Sequence, residues 1–102
     1  MNYNTLTEEY ILSNKVKLDI DGILYKRKFN EDILEKLIGY ANLNTFIMTQ
    51  NLSKDFIWKY ILNDDYQEED NEKTITIEKV CILQNYSKEE LLNHLQNNLQ
   101  NK

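Results

Sequence analysis

An all-α fold follows from three features of this 102-residue chain. The phrase Gln50-Asn51-Leu52-Ser53-Lys54-Asp55-Phe56-Ile57 returns almost letter for letter as Gln84-Asn85-Tyr86-Ser87-Lys88-Glu89-Glu90-Leu91. Looser copies stand at Leu6–Ile11 and Phe29–Leu34, so Thr7, Asn30 and Ser53 are spaced by 23 residues and Ser87 follows after 34. Apolar residues between the copies, such as Ile20, Ile23 and Leu24, have the spacing of one helix face. A fixed period of this size signals stacked supersecondary units. The expected architecture is a small solenoid-like stack of short helix pairs in one domain, 1–102. Its repeats are about 6–28, 29–51 and 52–85, followed by a capping helix at 86–99.

Each copy of the phrase is built to start a helix. Thr7, Asn30, Ser53 and Ser87 suit an N-cap, where a side-chain oxygen accepts from an orphaned backbone N–H. Acids follow in the first turn, where the helix dipole favours negative charge (Glu8 and Glu9, Glu31 and Asp32, Asp55, Glu89 and Glu90). Ser87 and Glu90 have capping-box spacing, and Leu6 with Ile11, Phe29 with Leu34, Leu52 with Ile57 and Tyr86 with Leu91 have that of a hydrophobic staple. These polar residues are read as caps, not as chemistry.

In chain order, Thr7 starts a helix to about Asn14, and a second helix begins near Asp19. A shift of 23 maps Asp19, Ile20, Ile23 and Leu24 onto Asn42, Leu43, Phe46 and Ile47. The second repeat runs a helix from Asn30 to about Ile38, with Gly39 placed for a left-handed C-terminal turn. The third starts at Ser53 and continues to Leu62. There the pattern breaks at an insertion, residues 63–74. Between Leu62 and Glu78 stand seven acids (Asp64, Asp65, Glu68, Glu69, Asp70, Glu72, Glu78) against Lys73 alone, a local charge of −6. Such a stretch is expected to be a solvated loop, removable without loss of the core. Residues 74–83 read two ways: Thr74-Ile75-Thr76-Ile77 alternates like a strand, whereas the register aligns Thr76, Ile77, Val80 and Cys81 with Asn42, Leu43, Phe46 and Ile47. The helix is favoured, since a lone strand would have no sheet to join. The last helix, from Ser87 to about Leu99, carries Leu91, Leu92, Leu95 and Leu99 along one side and turns polar towards Gln100 and Lys102.

Composition narrows the function. Twelve basic and 17 acidic residues give a net charge of −5, which argues against a general polyanion binder and disfavours direct nucleic-acid contact. No run of about 18 apolar residues and no basic-then-apolar leader is present, so a membrane span or secretory signal is not expected. Cys81, the single cysteine, forms no internal disulfide and suits a cytoplasmic protein. Proline is absent, and Ala41 and Arg27 are the sole alanine and arginine, while Asn, Lys, Ile and Leu abound. Residues with GC-rich codons are the missing ones, which points to an AT-rich genome: a low-GC bacterium, its phage or a giant virus.

The phrase resembles a short tandem motif, roughly Gln-x-Leu-Ser-Glu-Asp-Phe-Ile, of uncharacterised phage and giant-virus proteins. The match is best at Gln50, Leu52, Ser53, Asp55, Phe56 and Ile57. Ile20, Leu43 and Ile77 stand where those repeats have tryptophan, and Lys54 replaces the first acid. The resemblance spans about residues 6–95. It implies helical stacking and a viral or mobile-element origin, and it carries over no active site.

Candidate chemistry is sparse. His94, the only histidine, is expected on a partly exposed helix face, and Cys81 in the core, so no catalytic arrangement is read from them. Gly22 and Gly39 are too few for a phosphate loop. The acids at 64–72 lack the central glycine and alternating ligands of a calcium loop. No enzyme, cofactor or metal site is expected. The favoured reading is a non-enzymatic interaction protein whose partner-binding residues are Asp64, Asp65, Glu68, Glu69, Asp70 and Glu72. Its partner would be a host protein, and the location the host cytoplasm. An acidic nucleic-acid-mimicking inhibitor of a defence nuclease such as a CRISPR effector is a concrete form. The alternative is a nucleic-acid-binding or regulatory helical-repeat protein using Lys15, Lys17, Lys26, Arg27 and Lys28. Glu8, Glu9, Asp19 and Asp21 lie among those bases.

Overall fold

The anticipated caps all start helices in the computed structural model, which describes the backbone of residues 5–100 and the side chains of 5–97. The side chains of Leu99 and Gln100, and Lys102 as a whole, lie outside that range. Thr7 Oγ1 accepts from Tyr10 N at 3.0 Å and opens α1 (Glu8–Ser13); Asn30 Oδ1 accepts from Ile33 N at 3.3 Å and opens α3 (Glu31–Leu37). Ser53 opens α5 (Lys54–Phe56), which runs into a π-helical turn, Ile57–Ile61, and Ser87 precedes α8 (Lys88–Gln100). Ser87 and Glu90 complete a capping box: the Glu90 N–H donates to Ser87 Oγ at 3.0 Å, and the Ser87 N–H to Glu90 Oε1 at 3.4 Å. The intervening helices are α2 (Ile20–Lys26), α4 (Leu43–Thr49), a short α6 (Asp70–Lys73) and α7 (Ile77–Gln84). Gly39 takes a φ of +90°, where a Cβ would be strained. Among the described residues there is no strand, and the ambiguous 74–83 segment is helix α7 capped by Thr76.

The helices form two rows. One is α2, α4 and α7, packed side by side; in the other α1 packs on α3, the first turn of α3 holds the cap of α5, and α5 packs on α8. The core between the rows contains Ile11, Ile20, Ile23, Leu24, Leu34, Leu37, Leu43, Phe46, Ile47, Phe56, Ile57, Ile61, Val80 and Leu91.

Two side chains key the α2–α4–α7 row together. Gln50, buried at the end of α4, donates through Nε2 to the Leu24 and Arg27 carbonyls, both at 3.0 Å, and accepts from Phe29 N at 2.9 Å. Gln84, at the end of α7, donates to the Ile47 and Gln50 carbonyls at 2.8 and 2.7 Å and accepts from Leu52 N at 2.9 Å. Each of the three partners is displaced by 23 positions between the two joints. Arg27, 23 residues before Gln50, reaches the backbone carbonyl of Leu6, 23 residues before Phe29. At the other helix ends, Asp21 Oδ1 accepts from Asn42 N and Thr45 Oγ1 at 3.0 and 2.6 Å. Glu31 accepts from the Ser53 N–H and hydroxyl, so α3 grips the cap of α5.

The insertion departs from the expectation of a solvated loop. It holds a 3-10 turn, Asp64–Tyr66, and α6, and it is docked on the core. The Tyr66 ring meets Tyr60 edge-on at 5.0 Å, Gln67 is buried and donates to the Ile61 carbonyl at 2.8 Å, and Ile75 is buried. Charge density misled here because a few inward-facing residues are enough to anchor a mostly acidic segment. Cys81 also differs: it is only half-buried and packs against the margin of the core.

Candidate protein-binding surface

The six acids expected to meet a partner divide into five and one. Asp64, Asp65, Glu68, Glu69 and Asp70 are exposed. Glu72 is only 4% exposed, which corrects its place among the binding residues. Its Oε2 accepts from Leu43 N at 2.8 Å, at the start of α4, and its Oε1 accepts from Glu68 N and Glu69 N at 3.0 and 2.7 Å. A carboxylate with three N–H donors at a helix N-terminus is satisfied both by hydrogen bonds and by the helix dipole. Asn71 adds two bonds to the same end of α4: its side chain accepts from Asn42 Nδ2 at 2.9 Å and its carbonyl from Asn44 Nδ2 at 3.1 Å. Glu72 therefore holds the insertion in place so that its neighbours project outward. The spacing Glu69-x-x-Glu72, that of a capping box, was the available signal for this role.

Between the insertion and the N-terminal ends of α2 and α4 lies an open cleft of about 330 Å³. Asp21, Glu68 and Glu69 line it, with Tyr40 and Tyr66 on its walls. Carboxylates beside tyrosine rings suit a lysine or arginine side chain, which gains ion pairing and a cation–π face together.

The basic residues of the alternative reading do not form one free patch. Arg27 spends its guanidinium on the Leu6 carbonyl and stacks on the Phe29 ring at 4.8 Å. Lys15 donates to the Lys36 carbonyl at 3.3 Å and lies over Tyr40. Lys17, Lys26 and Lys28 are exposed. His94 is partly exposed, as expected, and its Nε2 meets Asp55 Oδ1 at 2.5 Å, tying α8 to α5. Trp58 makes a second tie, donating to the Leu91 carbonyl at 2.8 Å.

Three groups have displaced proton affinities. A hydrogen bond from Lys88 holds the Glu78 carboxyl below the usual range. The Tyr86 hydroxyl, donating to the Leu52 carbonyl, is pushed up by burial and by the charges of Glu31 and Glu90. Lys59 is raised by its interaction with Tyr60.

The fold and surface together define an all-α helical stack with an anchored acidic edge. No family model, curated protein or solved structure matches the chain. No helix among the described residues is long and apolar enough to cross a membrane.

Proposed function

We propose that this is a non-enzymatic interaction protein, a solenoid-like helical scaffold that offers its acidic insertion to a basic surface of a partner protein. The anchoring of the insertion by Glu72 carries the reading. Five acids on a docked segment lose less conformational freedom on binding than the same acids on a loose loop. In the concrete form drawn from the viral-type motif, the partner is a host defence nuclease, and the acidic edge occupies its nucleic-acid channel in the host cytoplasm. The alternative, direct nucleic-acid binding, would rest on Lys17, Lys26 and Lys28.

Two titrations decide between them. Against a labelled DNA duplex alone, no binding is expected; measurable affinity with a steep salt dependence would establish the alternative. Against a guide-loaded CRISPR nuclease with the same duplex as reporter, the protein is expected to displace the duplex. Reversing Asp64, Asp65, Glu68 and Asp70 to lysine should slow its association far more than it speeds dissociation, and added salt should erase the difference. A folded charge-reversed variant that associates at the wild-type rate in low salt would refute the acidic-edge reading.

A further inference from the structure

The cleft beside the insertion is built from two parts of the chain, and each part brings a ring and a carboxylate. The repeats supply Asp21, in the first turn of α2, and Tyr40, ahead of α4; the insertion supplies Tyr66, Glu68 and Glu69. Glu72 brings the two parts together, because its carboxylate joins the start of α4 to the Glu68 and Glu69 N–H groups. Without that anchor the cleft would have one wall.

Both rings are held in place and still open to solvent. Tyr66 meets the buried Tyr60 edge-on, with 5.0 Å between centroids. Tyr40 follows the left-handed Gly39, and its N–H donates to the Leu37 carbonyl at 3.0 Å. The two are 38% and 41% exposed. Lys15 records what the Tyr40 ring attracts, since its Nζ lies 4.6 Å from the ring centroid. That ammonium is also tied to the Lys36 carbonyl, and Lys15 does not line the cleft. Among the described residues no base lines it. Asp21 spends Oδ1 on the Asn42 N–H and the Thr45 hydroxyl, which leaves Oδ2 without a partner among the described residues.

Resting on the acidic-edge reading and extending it, we infer that this cleft receives one arginine side chain of the partner's basic surface. Carboxylates come from both parts of the cleft, which calls for a cation that donates in several directions. A guanidinium carries five N–H donors in one plane, stacks on aromatic faces and is more weakly hydrated than an ammonium. It lies against a tyrosine ring with N–H groups to spare for Asp21 on one part and for Glu68 and Glu69 on the other. Rings already fixed in place lose little freedom when the side chain enters. The outer acids Asp64, Asp65 and Asp70 then steer the partner, and the cleft holds it.

The test is an NMR titration of the full chain with capped tripeptides in which arginine, lysine or citrulline stands between two glycines. The arginine peptide is expected to shift the amides of Tyr40, Asn42, Tyr66 and Glu69 saturably, with a Kd on the order of 1 mM. Lysine should bind at least about threefold more weakly. Citrulline, close in shape but uncharged, should bind at least about tenfold more weakly. Tyr40→Ala and Tyr66→Ala should each weaken arginine at least about threefold, and Tyr66→Phe, which keeps the ring, should recover most of the loss. An unmoved Leu43 amide in each variant shows that the Glu72 anchor is intact. Glu68→Gln with Glu69→Gln should weaken arginine about tenfold. Citrulline or lysine as tight as arginine would overturn the inference, and so would shifts away from the cleft or wild-type affinity in both alanine variants. No partner protein is needed, so the two readings fail separately. Arginine seated in the cleft supports the inference even where charge reversal of the edge changes no association rate. A cleft that ignores arginine overturns it and leaves the acidic edge to act by charge alone.

Discussion

The glutamine joints and the Glu72 anchor solve the same problem with opposite relations to the chain's period. Each fixes one segment to another by satisfying backbone groups that would otherwise be buried without partners. Gln50 and Gln84 recur in register, so each can be recognised from the other. Glu72 occurs once, in a segment whose composition reads as solvated. Whether a polar residue faces inward is decided by the donors and acceptors brought to it in three dimensions. A repeat exposes that decision in the sequence, because the same answer is written twice.

The strongest way to break this comparison is at the joints. Gln50→Ala leaves the Phe29 N–H and two carbonyls without their partner in a buried place, and is expected to cost about 3–5 kcal/mol. Gln84→Ala, at a half-buried joint, should cost about 2–3 kcal/mol. Urea midpoints for the two variants give the order, and a midpoint at the wild-type value for Gln50→Ala would show the joint to be dispensable.

Glu72→Ala comes next, at about 2–4 kcal/mol from three abandoned N–H groups. Glu72→Gln should recover part of that loss, because one acceptor oxygen remains. Hydrogen exchange sharpens the point. If the anchor holds the insertion, the amides of Leu43, Glu68 and Glu69 should lose protection in Glu72→Ala while that of Phe29 keeps its own.

Surface residues of the repeated phrase should have small effects. Lys54, whose Nζ is 3.9 Å from Glu90, is expected to cost no more than about 0.5 kcal/mol as alanine. The smallest effect is Lys88→Ala, read on its partner. Removing the ammonium that lies 3.0 Å from Glu78 should raise the Glu78 carboxyl pKa back towards the ordinary value, followed by NMR titration. Because that pKa is depressed in the folded chain, the pair's small contribution is present above the unfolded value and fades as pH falls through the folded one. In Lys88→Ala this acid-side change should shrink, leaving the part due to the backbone and Thr76 hydrogen bonds to Glu78.

Much of the fold was legible. Thr7, Asn30, Ser53, Thr76 and Ser87 cap helices because short oxygen-bearing side chains ahead of apolar, acid-rich turns have a local role that needs no tertiary information. The core positions followed from the 23-residue step, which placed Leu24 with Ile47 and Ile23 with Phe46. The acids were harder to read. Asp21, Glu31 and Glu72 look like solvated charges until Asn42, Ser53 and Leu43 bring their N–H groups to them. Arg27 was readable in principle, since it stands in the register of Gln50, yet its neighbours Lys26 and Lys28 made it look like part of a basic patch.

The joints also bear on how such a chain can grow. The second and third units each end in a glutamine that serves as a plug into carbonyls of the unit before it, with Arg27 at the same position of the first. A duplicated unit would bring both halves of the connection with it and would demand no new interface from its neighbours. Extra residues are accommodated elsewhere, between the two helices of a unit, which is where the acidic segment entered this one. The decoration is not confined to its own unit, because Glu72 and Asn71 reach the start of α4 in the unit before, so the added segment also fastens neighbouring units together.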